Sequence, residues 1–317
     1  MKRKRWTKER QMAAGQTFLS EMRLPDLPLE EWEDTKETLH RYCQIVGKVR
    51  MELSPFRNHW WHVTLYVTPR GLTTGPIPYA AGTFDISFDL LDSRLVVTTS
   101  EGTGFDFPID DLPVAQFYGK LFEGLDSLGI EASINANPFD LDDEHTLETN
   151  TYHSACVPSY VRRYHHALSW IDQVFKEFAG RFNGKQSPVH LYWHSFDLAV
   201  TRFSGRRAPQ GEVDPVTREA YSHEVISFGF WAGDRNLREP AFYSYTAPEP
   251  DGLTKEPLES KSASWQKGGM ALLPYEQVRK SDSPKDTLLG FMESAYEAGA
   301  KSAGWDIGAL RTRPPAR

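Results

Sequence analysis

Ser187-Pro-Val-His-Leu-Tyr-Trp-His-Ser-Phe-Asp-Leu-Ala-Val-Thr-Arg-Phe-Ser-Gly-Arg-Arg-Ala-Pro209 decides how the rest of the chain is read. It has an earlier echo, Asn58-His-Trp-Trp-His-Val-Thr-Leu-Tyr-Val-Thr-Pro-Arg-Gly-Leu-Thr-Thr-Gly-Pro76. Each stretch opens as alternating residue types around a histidine and closes in Arg, Gly, Thr and Pro. Placing His62 on His190 also places Leu72-Thr73 on Val200-Thr201, and further on Ile86-Ser87-Phe88 is identical to Ile226-Ser227-Phe228. The shift between those matches requires an insertion in the second copy around residues 206–218. An ordered series of such matches is the mark of an internal repeat.

Outward from these stretches, periodicity supplies the helices. Leu29, Trp32, Leu39, Tyr42, Val46, Val49 and Leu53 recur at helical steps until Ser54-Pro55, because proline disfavours helical geometry in the residue before it. Val161, Tyr164, Leu168, Ile171, Phe175, Phe178 and Phe182 do the same before the second stretch. A closing helix follows each set of strands, starting at Pro113 or Pro284 and ending at Gly129 or Gly304, where glycine caps well. From Trp60 the period becomes two, with Trp61, Val63, Leu65 and Val67 on one face and Trp60, His62, Thr64 and Tyr66 on the other. Connections too short for helical crossovers make the strands an antiparallel meander.

The expected fold is therefore α+β. Two related repeats, each a long helix, an antiparallel β-meander and a closing helix, lie in a pseudo-two-fold arrangement. Residues 1–23 read as a disordered basic arm, 24–136 as the first repeat and 137–157 as a solvated acidic linker. Residues 158–306 read as the second repeat, with a long surface loop at 248–269, and 307–317 as a tail. A strand is also expected at residues 130–134. Asp140-Leu-Asp-Asp-Glu144 lacks the glycine and ligand spacing of an EF-hand.

In 317 residues, 39% hydrophobic and 25% charged residues are ordinary for a globular protein. A net charge of -7 argues against a nucleic-acid surface, which needs a concentrated positive field. Two cysteines are too few for a disulfide framework and point to a reduced, cytoplasmic setting. No apolar run reaches the roughly 18 residues of a membrane span, and Met1-Lys-Arg-Lys-Arg-Trp6 does not lead into a signal-peptide core.

His190-Leu-Tyr-Trp-His194 has zinc-like spacing only on a helix; in a strand the two imidazoles stand about 13 Å apart, from roughly 3.3 Å per residue. One of the pair at most is a ligand, and His190 is preferred because the repeat sets it beside His62. Glu224 falls where the first copy has Phe84, on an apolar face, so its carboxylate needs a partner: an arginine, a metal or a substrate proton. Arg70, Arg202, Arg206 and Arg207 follow the paired strands, and their planar forks suit carboxylate or phosphate as well as structural salt bridges.

Leu29-Glu-Glu-Trp-Glu-Asp-Thr-Lys-Glu-Thr-Leu-His40, Asn58-His-Trp-Trp-His62, Arg70-Gly-Leu-Thr-Thr-Gly-Pro-Ile-Pro-Tyr79, Ser195-Phe-Asp-Leu-Ala-Val-Thr-Arg-Phe-Ser-Gly-Arg206 and Arg218-Glu-Ala-Tyr-Ser-His-Glu224 resemble the hallmark strings of a bacterial family of uncharacterised proteins. The resemblance spans nearly everything outside the N-terminal arm. It implies a bacterial origin and carries over no activity.

Two functions are thus expected. One is a cytoplasmic enzyme with a site between the repeats. There His62, His190 and Glu224 bind a divalent metal ion or do acid–base work, and Arg70, Arg202 and Arg206 orient an anionic small molecule. The other is a non-catalytic module holding a small molecule in an aromatic groove of Trp60, Tyr66 and Tyr192. Neither involves nucleic acid or a membrane.

Overall fold

The computed structural model describes residues 23–312. The basic arm expected at 1–23 falls outside the described residues, Arg23 excepted. Helix α1 (Leu29–Leu53) buries the apolar stripe of Trp32, Leu39, Tyr42, Val46 and Val49. Glu30 and Glu31 occupy its first turn, where the helix dipole favours negative charge. The first meander comprises β1 (Tyr66–Thr68), β2 (Gly71–Thr73), β3 (Ile77–Tyr79), β4 (Gly82–Asp89), β5 (Arg94–Thr99) and β6 (Gly104–Pro108), followed by α2 (Val114–Ser127). The second half runs α3 (Pro158–Ala179), β7 (His190–Tyr192), β8 (Asp197–Arg207), α4 (Pro215–Ala220), β9 (His223–Trp231), β10 (Ala241–Ala247), β11 (Ser264–Trp265) and β12 (Ala271–Pro274). Helices α5 (Tyr275–Arg279), α6 (Pro284–Ser302) and α7 (Ile307–Leu310) complete it.

The result is mixed α+β with two six-stranded antiparallel sheets, ordered β1-β2-β4-β5-β6 with β3 on β4, and β11-β12-β10-β9-β8-β7. Strands β1 and β7 are edge strands, and the sheets meet there. Leu65 N–H donates to Leu191 O at 2.9 Å and Leu191 N–H to Leu65 O at 2.7 Å, a reciprocal antiparallel pair between fully buried leucines.

Alternation along the strands gives each sheet two faces. In the second, Leu198, Val200, Ile226, Phe228, Phe230 and Phe242 are buried. Phe228 meets Phe178 of α3 edge-on with ring centroids 4.7 Å apart, which places the helices over this face. Small residues of α6 bring it close: a Cβ on Gly299 would stand 2.3 Å from Thr246 Oγ1. The opposite face presents Tyr192, Asp197, Thr201, Ser227, Tyr243 and Tyr245, and a Cβ on Gly229 would lie 2.2 Å from Tyr243 Cζ, because that ring crosses the glycine.

Several expectations change. Residues 58–64 are not strand: Asn58–Trp60 is a 3₁₀ turn, and both His59 (φ 57°) and Trp60 (φ 60°) are left-handed. Counting by twos from Trp60 therefore misassigns the faces of Trp60 and His62. No strand forms at 130–134. The acidic segment read as solvated packs along α1 instead. Arg41 binds Asp143, Lys48 Nζ donates to Asn135 O at 2.9 Å and Asn137 O at 2.7 Å, and Leu147 is fully buried. Polar side chains on α1 supply the missing backbone partners of an irregular segment.

α1 also carries the contact that locks the halves together. A Cβ on Gly47 would stand 2.0 Å from Trp193 Cδ1, so the indole of the β7–β8 turn lies directly on the helix backbone. Gly47→Ala should cost about 1–3 kcal/mol by overpacking. Urea unfolding checks this, and an unchanged midpoint would mean that the contact is slack.

Candidate functional site at the junction of the two sheets

The residues singled out in the sequence do not all gather in one place: His190, Tyr66 and Tyr192 meet at the junction, whereas Glu224, Arg70 and Arg202 find partners elsewhere. Glu224 is half-buried, and one carboxylate oxygen takes three donors: Arg206 Nε at 2.9 Å, Arg206 Nη2 at 2.7 Å and Trp305 Nε1 at 3.0 Å. Of the three partners open to it, Glu224 has met an arginine. Arg70 is exposed and bound to Asp89 and Asp92. Arg202 is buried on the helix-covered face, 3.5 Å from the Phe178 ring centroid, donating to Phe178 O at 2.7 Å; burial lowers its pKa to about 10. All three arginines are thus engaged within the protein. Among the described residues no three His, Cys, Asp or Glu side chains converge as a metal would require, so His62, His190 and Glu224 do not form one ligand set.

His190 does sit at the junction. Immediately beside the Leu65–Leu191 pair, its Nδ1 lies 3.2 Å from Thr64 Oγ1, and its Nε2 is buried without a partner. Tyr192 meets the ring edge-on at 4.6 Å and Tyr66 lies at 6.3 Å. Burial, and then the charge of Arg50, push the His190 pKa down to about 3. Arg50 enters from the last turn of α1, donates to Thr64 O, and stands 5.0 Å from the Tyr66 ring centroid with its buried Nε unbonded. His62 is buried nearby, stacked on Trp60 at 5.4 Å, its Nδ1 accepting from Arg57 N–H at 3.3 Å. Burial lowers its pKa, with a smaller contribution from the same Arg50 charge.

A second constellation also draws on both halves. Glu219 lies near the end of α4. Its Oε1 accepts from His59 N–H at 2.9 Å and its carbonyl lies 3.1 Å from His59 Nδ1. These bonds hold two consecutive left-handed residues whose conformation costs on the order of 1 kcal/mol each. A carbonyl oxygen only accepts, so Nδ1 carries the proton and Nε2 presents its lone pair. Lys185 Nζ sits 2.6 Å from that Nε2, over the rings of Phe203 (5.0 Å) and Trp61 (5.6 Å). His223 touches His59 at 5.7 Å. Burial lowers the pKa of Lys185, against the charge of Glu219. Burial and then the Lys185 charge lower that of His59.

In the sequence His59 stands out only as a member of the Asn58-His-Trp-Trp-His62 string. Lys185, in Asn183-Gly184-Lys185-Gln186, had no local signal, and neither did Glu219. The Asn58–His62 and Arg218–Glu224 strings do contain His59 and Glu219, which the fold brings into contact.

The fold and junction define a class: an α+β protein of two edge-joined antiparallel sheets, with titratable groups from both halves where they meet. Residues 24–312 match the model of a family of unknown function, DUF5996, and the chain belongs to that family. No curated protein and no solved structure matches it.

The junction predicts a pH dependence. A histidine titrating near 6.5 when unfolded and at about 3 when folded contributes stability that is complete above pH 6.5 and is lost as pH falls toward 3. At pH 5 His190 alone should account for about 2 kcal/mol, at 1.36 kcal/mol per pH unit. His40, pushed to about 4 by burial, acts in the same direction. Urea unfolding at pH 7 and pH 5 should show this loss, and His190→Gln should shrink it. An equal loss in the variant would remove His190 as its source.

Proposed function

We propose that the protein is an acid–base enzyme acting on an anionic small molecule at the contact between its two halves, with Lys185 and His59 as the proton-transferring pair. The observation that carries this is the 2.6 Å separation of Lys185 Nζ and His59 Nε2, with the His59 tautomer fixed by the Glu219 carbonyl. An amine lowered by burial and hydrogen-bonded to an imidazole lone pair can release a proton to that ring and accept one from a substrate. Phe203 and Trp61 wall the amine, and around neighbouring His223 the charges of Lys185 and Arg207 act against that of Glu219, two cations to one carboxylate, which suits an anion. His62 and His190, proposed from the sequence for acid–base work, lie on the Arg50 side of the junction and support the fold there.

The two halves are part of the same proposal as a duplicated unit. Leu72 pairs with Phe88 and Thr73 with Ser87, just as Val200 pairs with Phe228 and Thr201 with Ser227. The closing helices end alike, with Ile130 N–H on Leu125 O at 3.0 Å and Trp305 N–H on Ala300 O at 2.8 Å, past left-handed Gly129 and Gly304. Cys43 and Cys156 are buried and unpaired, in keeping with a reducing cytoplasm, and no helix among the described residues is long and apolar enough to cross a membrane.

A specific observation also favours a non-catalytic ligand groove. Half-buried Tyr192, Tyr243 and Tyr245 share the face of the second sheet opposite the helices, and Tyr221 OH lies 2.9 Å from Tyr245 OH. Turnover separates the two readings.

Two measurements test the enzyme reading. Titration of ¹³C-methylated lysines by NMR should find Lys185 below the ordinary lysine range, and His59→Gln should move that value while leaving other lysines in place. In a screen of small carboxylates and phosphate esters, wild-type protein should turn over a compound that Lys185→Met turns over at least about 100-fold more slowly, the scale of general acid–base catalysis. A Lys185 titrating normally in both proteins, or equal turnover by the variant, would overturn the proposal.

A further inference from the structure

Four side chains from different segments form a row along one side of the second sheet. Lys185 Nζ lies 2.6 Å from His59 Nε2, the His59 ring lies 5.7 Å from that of His223, and His223 on β9 stands directly opposite Arg207 on β8. Residues directly opposite in an antiparallel pair bring their Cβ atoms to roughly 5 Å on one face. A register shift between Phe203 and Arg207 precedes that pair, an irregularity of the kind that re-aims side chains beside a site. Neighbouring side chains in a strand alternate, so Arg206 turns to Glu224 and the end of α6 while Arg207 turns with His223.

Both ends of the row are open to solvent, since Lys185 and Arg207 are exposed. Among the described residues the Arg207 guanidinium has no hydrogen bond and no ion pair, whereas Arg206 reaches an acid and Arg202 a carbonyl. The Lys185 amine donates to a neutral imidazole, which sets it apart from Lys36, Lys176, Lys280, Lys285 and Lys301, all paired with carboxylates. A lysine held by a carboxylate keeps its proton; one held by the lone pair of a base can hand it over and become a nucleophile. Partial burial lowers the Lys185 pKa, the direction this requires.

We infer that Lys185 forms an imine with a small oxo acid whose carbonyl carbon sits at the amine and whose carboxylate sits at Arg207, an inference that rests on the acid–base reading of the Lys185–His59 pair. A nucleophilic amine calls for a carbonyl carbon, and an unpaired planar guanidinium at the other end of the row calls for a carboxylate. Lys185 as a free amine adds to the carbonyl carbon while the C=O π electrons move to oxygen. One N–H proton goes to His59 Nε2 and from there to that oxygen, giving a carbinolamine. The nitrogen lone pair then forms the C=N bond as the C–O bond breaks; the second N–H proton reaches the leaving oxygen through the same ring, and water departs. Amine and oxo acid thus become imine and water, with nothing oxidised or reduced.

Reductive trapping of the full chain tests this. Protein is incubated with pyruvate, levulinate or acetone in the presence of cyanoborohydride, which reduces an imine to a stable secondary amine, and peptide mass spectrometry locates the labelled lysines. Exposed Lys120, Lys255, Lys261 and Lys267 serve as internal standards. At least one oxo acid should label Lys185 about 100-fold faster than the standards, the scale on which a positioned base acts. With acetone that excess should be about tenfold smaller, the worth of a charge-assisted contact with Arg207. Arg207→Gln should slow labelling by the oxo acid about tenfold and leave labelling by acetone as it was, a split that damage to the fold does not produce. Labelling of Lys185 at the rate of the standards, an equal excess with acetone, or an oxo acid rate unchanged in Arg207→Gln would each overturn the imine. A Lys185 that titrates low but labels like the standards removes this inference alone, whereas one that titrates normally removes the acid–base reading with it.

Discussion

The architecture depends on one reciprocal pair of backbone hydrogen bonds, Leu65 with Leu191, that turns two sheets into neighbours edge to edge. Edge strands carry unpaired N–H and C=O groups that must be met somewhere. Here each sheet uses the other. The pairing is short because β1 and β7 have only three residues each, so polar groups just beyond the bridge cannot be satisfied by more ladder. Arg50, Thr64 and His190 gather in that gap, with Arg50 donating to Thr64 O and Thr64 Oγ1 facing His190 Nδ1.

Such a solution concentrates charge where it is expensive. A buried guanidinium keeps its proton, so the neighbouring imidazole is the group that gives way and stays neutral. The same logic recurs along β8 and β9. Arg202 is buried among Phe178, Phe182 and Tyr296, with Glu293 Oε2 4.0 Å from its Nη1, and Glu224 satisfies itself on Arg206 and an indole. Arginine and acid at strand ends thus hold tertiary structure, whereas the Lys185–His59 pair has no carboxylate bonded directly to either nitrogen.

Helices were legible because seven apolar residues at steps of three, four and seven leave little choice, and α1, α2, α3 and α6 lie where periodicity set them. The meander was legible from alternation, and the Ile86 and Ile226 strings fall on β4 and β9. What failed was local geometry. Asn58–His62 reads as the start of an alternating strand, yet two left-handed residues break it, a conformation no pattern of side-chain types announces in non-glycine residues. The acidic segment looked like linker because its composition is polar; its anchors, Arg41, Gln44 and Lys48, are on α1, about a hundred positions away. Site residues were the least legible of all, since Lys185, His59 and Glu219 come together only through tertiary contact.

The strained turn at His59–Trp60 is best understood from what holds it. Left to local energetics, two successive left-handed non-glycine residues would relax toward extended backbone, straighten 58–64 into strand and carry His59 away from Lys185. Glu219 prevents this with two bonds, one to the backbone N–H and one to the ring, and Glu219 itself rides on α4, whose N-cap Asp214 accepts from Val216 and Thr217 N–H groups. The short capped helix of the second half therefore acts on the first half: Glu219 supplies the clamp that orients His59 toward Lys185. The Leu65–Leu191 pair that joins the sheets does not involve α4, so the junction of the sheets and the orientation of His59 rest on separate contacts.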